Sequence, residues 1–89
     1  LPMKKHRVFA PNVNERRLEL SDVTLFLSCS ITEYAMKSLI TMLRTEELKV
    51  EEVVSGDSYQ SVTSCYVYDM PERYVKELPI MGFRVFEIK

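Results

Sequence analysis

The sequence predicts an α+β fold in which four strands and two helices follow one another in the order β-α-β-β-α-β. Two observations predict it. Apolar and polar residues alternate at 23–29 and 61–69, which is typical of half-buried strands. After each of these runs, apolar residues recur at three- and four-residue spacing, which is typical of amphipathic helices. With 89 residues, the chain is long enough to bury one core and no second lobe.

The first strand and the first helix are predicted at 22–43. In the strand, Phe26 falls between two polar residues on one face, and the opposite face is aliphatic or thiol: Val23, Leu25, Leu27 and Cys29. Residues 30–33 (Ser-Ile-Thr-Glu) have the pattern of a capping box, in which a serine oxygen accepts a free backbone N–H. One apolar stripe then predicts the helix: Ala35, Met36, Leu39, Ile40 and Leu43.

The remaining elements follow from the same signals. Residues 48–54 are rich in β-branched residues and predict a strand, and 55–58 have the composition of a turn. The strand at 61–69 places Val62, Ser64, Tyr66 and Tyr68 opposite Thr63, Cys65 and Val67. A short helix begins at Pro71 and is ended by Pro79, and residues 83–88 form the last strand.

This order of elements predicts a ferredoxin-like sandwich. Two right-handed crossovers interleave when both helices lie on the same face of the sheet, so the other face is left bare. The first and third strands become neighbours at the sheet centre. The strand at 48–54 is expected at an edge, where Lys49, Glu51 and Glu52 discourage further strand pairing.

The domain is predicted at 21–89, preceded by an N-terminal extension at 1–20. The extension could add an edge strand at 7–10 and a second short strand at 16–20. It holds five Lys or Arg and two Glu, a charge of +3, whereas 21–89 carry −4. Lys4, Lys5 and Arg7 therefore form a basic arm, which acts either as an ordinary solvated tail or as a contact for phosphates.

The bare face carries the candidate binding residues. If the aliphatic face of the first strand packs on the helices, then Phe26, Tyr66 and Tyr68 point away from them, beside Ser64 and Arg84. An uncovered aromatic surface needs an occupant. Three occupants are possible from the sequence: the N-terminal arm, a partner chain, or a ligand on which the rings stack.

The residues of this face resemble the RNA-recognition motif. The segment 25–30 (Leu-Phe-Leu-Ser-Cys-Ser) is similar to that family's first-strand signature, in which the second residue stacks on a base. Tyr66 matches the central stacking residue of the third-strand signature, within 64–68. The signature's opening Lys or Arg and Gly are replaced by Val62 and Thr63, and Ser64 replaces its first aromatic residue. The resemblance covers 22–89 and implies the ferredoxin-like fold and single-stranded RNA as a ligand.

The composition gives no support to catalysis or to a cofactor. The chain has two glycines, two cysteines and one histidine, so a glycine-rich phosphate loop and a Cys/His zinc site are not expected. Cys29 and Cys65 are expected as buried reduced thiols in a cytoplasmic protein, or as a disulfide if their strands are neighbours. No apolar run approaches the roughly 20 residues that cross a bilayer.

We therefore expect a non-catalytic binding or regulatory module that contacts a protein partner, or a second copy, through the bare face or an edge strand. The first alternative is single-stranded RNA binding by Phe26, Tyr66 and Tyr68 with phosphates held by the basic arm. The second alternative is a dimeric domain that senses a small ligand near 28–32, where a predicted helix N-terminus favours an anion.

Overall fold

The computed structural model describes residues 4–11, 22–55 and 61–89, with side chains for all of these except 22–31 and 55. Its elements are β1 (Lys5–Phe9), α1 (Asp22–Thr45), β2 (Val50–Ser55), β3 (Ser61–Tyr68), α2 (Glu72–Ile80) and β4 (Arg84–Ile88). The strands form one antiparallel sheet in the order β2-β3-β1-β4. This is a ferredoxin-like sandwich, and the predicted fold class and element order are confirmed.

The first strand, however, is not where the sequence predicted it. Residues 23–29 lie in the first turns of α1, and Lys5–Phe9 supply the first strand of the sheet. This strand was expected at most as an edge of an N-terminal extension, but it lies at the sheet centre between β3 and β4. The placement of Phe26 on the sheet is therefore wrong, because this residue is helical.

The physical reason lies in the ambiguity of a short apolar run. Residues 23–31 alternate, but Val23, Leu27 and Ile31 are also spaced by four, as a helix requires. No Gly or Pro interrupts 22–45, so a helix that has formed further along extends through this run at little cost. Residues 30–33 consequently lie inside α1, so they cap no helix. The anion site expected at 28–32 is wrong for the same reason.

Period-two alternation in β1 separates the two faces of the sheet. His6, Val8 and Ala10 are buried on the face that the helices cover, while Lys5 and Arg7 point to the opposite face. Val8 is fully buried and pairs in register with Cys65 of β3 and Val85 of β4. The centre of the sheet and the centre of the core therefore meet at Val8.

One hydrophobic core fills the space between the helices and this face of the sheet. The two helices contribute Met36, Leu39, Ile40, Leu43, Tyr74 and Leu78. The strands and loops contribute Val8, Ala10, Val50, Val62, Cys65, Val67, Met70 and Phe83. The apolar stripe predicted from Ala35 to Leu43 thus faces the core, with Met36 and Leu43 fully buried.

A β-bulge in β3 corrects one further expectation. Val53 pairs with Ser64 but Val54 pairs with Val62, so Thr63 is an extra residue on β3. Simple alternation predicted Val62 on the same face as Tyr66, but the bulge turns Val62 into the core. The tyrosine side of β3 keeps its predicted face.

The end of α2 depends on Gly82. This residue has a φ of 99°, and the N–H of Phe83 donates to the carbonyl of Leu78 at 3.1 Å, which closes the helix. A Cβ at position 82 would lie 3.3 Å from the Cβ of Pro11. Gly82 is therefore required both by its backbone conformation and by the close approach of the segment after β1.

Two methionines of α1 test this packing. Met36 is fully buried and Met42 is 39% exposed. We expect Met36→Ala to lower the free energy of unfolding by about 2–5 kcal/mol, because it leaves a cavity in the core. Met42→Ala is the matched control and is expected to cost less than about 1 kcal/mol. Urea unfolding followed by circular dichroism measures both, and equal losses would contradict the described helix orientation.

Candidate functional site

The sheet face opposite the helices, called the open face below, carries the candidate site. Its residues follow from the strand register and from the alternation in each strand. They are Lys5, Arg7 and Phe9 on β1, Glu51 and Val53 on β2, Ser64, Tyr66 and Tyr68 on β3, and Arg84, Phe86 and Ile88 on β4. Both helices pack on the other face, so no helix or strand among the described residues covers the open face.

Cations and aromatic rings alternate across the centre of the open face. The Lys5 ammonium lies 4.2 Å from the centroid of the Tyr66 ring and 5.4 Å from that of Tyr68. The Arg7 guanidinium lies 4.8 Å from the centroid of Phe9 and 4.6 Å from that of Tyr66. Each distance is within the range of a cation–π contact. The two cations of β1 are therefore in contact with the rings of both central strands.

Two hydrogen bonds fix the Arg7 side chain in this arrangement. Its Nη1 donates to the Tyr66 hydroxyl at 2.8 Å, and its Nη2 donates to the Ser64 hydroxyl at 3.0 Å. Ser64 is 3% exposed, so the Arg7 guanidinium that bonds to it is held close to the sheet. The planar guanidinium is thus a fixed part of the surface, since its terminal nitrogens are both used.

The β4 side of the open face is more apolar. Phe9 and Phe86 meet edge to face, with ring centroids 5.8 Å apart and an interplanar angle of 79°. The Arg84 guanidinium lies 5.1 Å from the Phe9 centroid. Phe86 is 52% exposed and Ile88 is 44% exposed. This side therefore offers exposed apolar area beside one cation.

The β2 side of the open face is polar. The Tyr68 hydroxyl donates to Oε1 of Glu51 at 3.1 Å. The Lys49 ammonium lies 4.8 Å from the Tyr68 centroid and 4.0 Å from the same Glu51 oxygen. Lys49 directly precedes β2, so its ammonium extends the row of cations to the edge of the sheet.

The charge of the chain is unevenly distributed. Among the described residues, four cations (Lys5, Arg7, Lys49 and Arg84) and one carboxylate (Glu51) lie on or beside the open face, a sum of +3. The whole chain carries −1, which leaves −4 for the remainder. The described residues of the open face are therefore basic, although the whole chain has a net charge of −1.

The predicted site residues are placed as follows. Ser64, Tyr66, Tyr68 and Arg84 lie together on the open face, and their role in binding stays a prediction. Phe26 does not join them, because it lies in α1.

The predicted basic arm does not form as a unit. Lys5 and Arg7 belong to β1 and lie on the open face. Lys4 precedes β1, and its ammonium lies 3.5 Å from Glu87, which pairs with His6 on the helix-covered side. Two of the three predicted arm residues are thus part of the sheet surface.

Sequence reasoning missed Phe9, Phe86 and Glu51 as residues of this face. The signal for Phe9 was present, because Lys5, Arg7 and Phe9 alternate with His6, Val8 and Ala10. Because β1 is short and has three polar residues, its sequence signal for a strand was weaker than that of the apolar run at 23–29. Its central position in the sheet becomes clear only from its pairing with β3 and β4.

The chemistry of the described residues outside the open face is limited. Among residues 4–11, 22–55 and 61–89, no group of three or more His, Cys, Asp or Glu side chains is arranged to hold a metal ion. In the same ranges no helix is both long and apolar enough to cross a membrane. Cys65 is fully buried on the helix-covered face and is not in a disulfide, and burial raises the pKa of its thiol to about 11.

Comparison of the chain with protein-family models, with curated proteins and with solved structures found no match in any of the three. The open face therefore has to be interpreted from its own geometry.

The buried thiol gives a prediction for alkaline pH. Its pKa is about 11 in the folded chain against an ordinary value of 9.0, so the unfolded chain loses this proton first. The stability that the protonated Cys65 thiol contributes to the folded chain is therefore fully present below pH 9. It is lost as the pH rises towards 11, because the unfolded chain then releases a proton that the folded chain still holds. We expect about 2 kcal/mol more loss of unfolding free energy between pH 8 and 11 in the natural protein than in Cys65→Ala. Urea unfolding of both proteins at the two pH values measures this difference, and equal losses would contradict it.

Proposed function

We propose that this domain binds single-stranded nucleic acid across its open face. The observation that carries the proposal is the alternation of four cations with four aromatic rings on a sheet surface that neither helix covers. Nucleic acid has the matching chemistry, since each nucleotide supplies a phosphate anion and a flat base. Domains that bind single strands commonly combine a positive surface with aromatic rings on which bases stack.

The rings favour single strands over duplexes. A base that stacks on Tyr66 or Tyr68 must offer its flat face, which is buried in a duplex but accessible in a single strand. Both rings belong to β3 and are half-buried, so their positions are set by the sheet rather than by a loop. Such fixed rings lose little conformational entropy when a base stacks on them.

Lys5 and Arg7 have different parts in this proposal. The Lys5 side chain is flexible, so a base that stacks on Tyr66 displaces its ammonium, which is then free to contact a phosphate. Arg7 is held by two hydrogen bonds and remains in place. Its guanidinium face extends the aromatic surface between Phe9 and Tyr66.

The width of the sheet limits the length of strand that is bound. Four strands spaced by about 4.8 Å give an open face about 14 Å wide. Sheets of this kind stack about two or three bases. Binding of a short oligonucleotide is therefore expected to be moderate in affinity and to involve few phosphates.

The proposal does not depend on the signatures of the RNA-recognition motif. The segment at 25–30 that is similar to the first-strand signature is helical, so it has no place in the sheet. A function like that of the RNA-recognition motif is supported instead by the position of aromatic rings on the two central strands, with Phe9 on β1 and Tyr66 on β3. The resemblance makes RNA the first ligand to test, with DNA beside it.

Two tyrosines provide the test of the proposed function. We expect a labelled ten-nucleotide single-stranded RNA of mixed sequence to bind at low salt, measured by fluorescence anisotropy. Tyr66→Ala removes a stacking ring and is expected to weaken binding about 5- to 100-fold. Tyr34→Ala is the matched control, because Tyr34 is 73% exposed on α1, away from the open face, and we expect no change.

Salt and strandedness provide further checks of the same experiment. With two or three phosphates neutralised, the logarithm of the binding constant is expected to fall with the logarithm of salt at a slope of about −2. The same sequence as a duplex is expected to bind more weakly. Absence of binding at low salt, or equal effects of the two tyrosine changes, would overturn the proposal.

The protein partner expected from the sequence is the second candidate, and exposed apolar area on β4 favours it. Phe86 and Ile88 are exposed residues of β4. In the described sheet β4 is an edge strand, with β1 as its neighbour. Aromatic residues of this kind carry much of the energy of protein interfaces. Sedimentation velocity would support this candidate if the chain self-associates and Phe86→Ser abolishes the association, and a monomer at all concentrations would remove self-association.

A further inference from the structure

Glu51 is the single carboxylate on the open face among the described residues, and it lies beside the Tyr68 ring. Its Oε1 accepts the Tyr68 hydroxyl at 3.1 Å, which holds the carboxylate at the edge of that ring. The Glu51 side chain is 49% exposed, so it is accessible from the open face. An acidic residue on a surface that binds a polyanion lowers the affinity of that surface for phosphate. A preference for one base over the others would offset this loss of affinity.

Within the described part of the chain, the Glu51 carboxylate keeps most of its capacity to accept hydrogen bonds. A carboxylate has about four lone-pair positions, and the Tyr68 hydroxyl uses one of them. The Lys49 ammonium, at 4.0 Å from Oε1, is at the outer limit of an ion pair, and its side chain is 61% exposed. A base that stacks on Tyr68 would displace Lys49 towards a phosphate and place its own edge next to the carboxylate.

The donor pattern of the bases decides which base fits. The Watson–Crick edge of guanine presents two neighbouring donors, the ring N1–H and the exocyclic N2 amino group. The edges of adenine and cytosine present one amino group next to an acceptor nitrogen, and uracil presents one N–H between two carbonyl oxygens. Since an ionised carboxylate accepts and does not donate, two parallel bonds form with guanine alone.

We propose that Glu51 is a specificity-determining residue that selects guanine at the position stacked on Tyr68. This inference rests on the proposed function and adds to it a preferred base. It assigns different parts to the two tyrosines of β3, because Tyr66 lies beside the fixed Arg7 guanidinium and Tyr68 lies beside a carboxylate.

Neighbouring glutamates allow a matched test. The ligands are four ten-nucleotide RNAs of uridine that differ at one central position, which is G, A, C or U. Fluorescence anisotropy at low salt is expected to show binding about tenfold tighter for G than for U, as two parallel hydrogen bonds give. Glu51→Gln is expected to reduce this ratio to below about twofold, because an amide offers one acceptor and one donor.

Glu52→Gln is the control for this change. Glu52 is the next residue on β2 but pairs with Cys65 and lies 3.5 Å from Arg44 of α1, on the helix-covered side. The ratio of G to U binding is expected to be unchanged in this variant. Loss of the ratio in Glu51→Gln together with its retention in Glu52→Gln supports the inference.

The remaining outcomes separate the two proposals. If the natural protein binds all four RNAs equally, or if Glu51→Gln keeps the preference for G, the inference on Glu51 is overturned and single-strand binding stands. If none of the four RNAs binds at low salt, the proposed function itself is overturned. Binding of the uridine RNA by Glu51→Gln, at the level of the natural protein or tighter, shows that this variant is folded.

Discussion

The alternation of side chains along β1 is the constraint on which the rest of the structure depends. This strand lies between β3 and β4, so its side chains occupy the middle of both faces of the sheet. Val8 contributes to the core, whereas Lys5 and Arg7 contribute charge to the open face. A shift of register by one residue would bury both cations and expose Val8. The core and the charged surface therefore specify the same register.

Polar side chains at the centre of the sheet are costly, and β1 carries them on both faces. His6 is 4% exposed, and its Nδ1 has no hydrogen-bond partner among the described residues. The same is true of the buried Nε of Arg7. Unpaired buried polar atoms cost about 1–3 kcal/mol each, so a strand built for stability alone would avoid them. The Arg7 side chain nevertheless contacts the Phe9 and Tyr66 rings and donates to the hydroxyls of Tyr66 and Ser64.

The sequence predicted the fold more fully than it predicted the site. The stripe from Ala35 to Leu43 and the tyrosine alternation in β3 were sufficient to place one helix and one strand correctly. Residues 23–29 were misassigned because a short apolar run fits a strand as well as a helix, and nothing local breaks the helix. The element order was still correct, since Lys5–Phe9 took the place of the misassigned strand.

The site depended on information that no local pattern contains. Tyr66 and Tyr68 were placed on the open face from strand alternation, and Arg84 was expected beside them. Phe9 and Glu51 were missed because their neighbours come from other strands, and strand register is set by packing over the whole sheet. The bulge at Thr63 was likewise not predictable from local alternation. It leaves Tyr66 and Tyr68 on their predicted face but moves the Val62 side chain from the open face into the core.

The position of β1 also determines when the sheet can be completed. Lys5 pairs with Tyr68 on one side and with Ile88 on the other, so both neighbours of the first strand are distant in the chain. The hairpin of β2 and β3 is local and can form early, but β1 has no sheet partner until β3 has been synthesised. During synthesis on the ribosome, the cationic N-terminal strand thus stays unpaired until late. Such non-local pairing is expected to make folding slower than in helical domains of similar size.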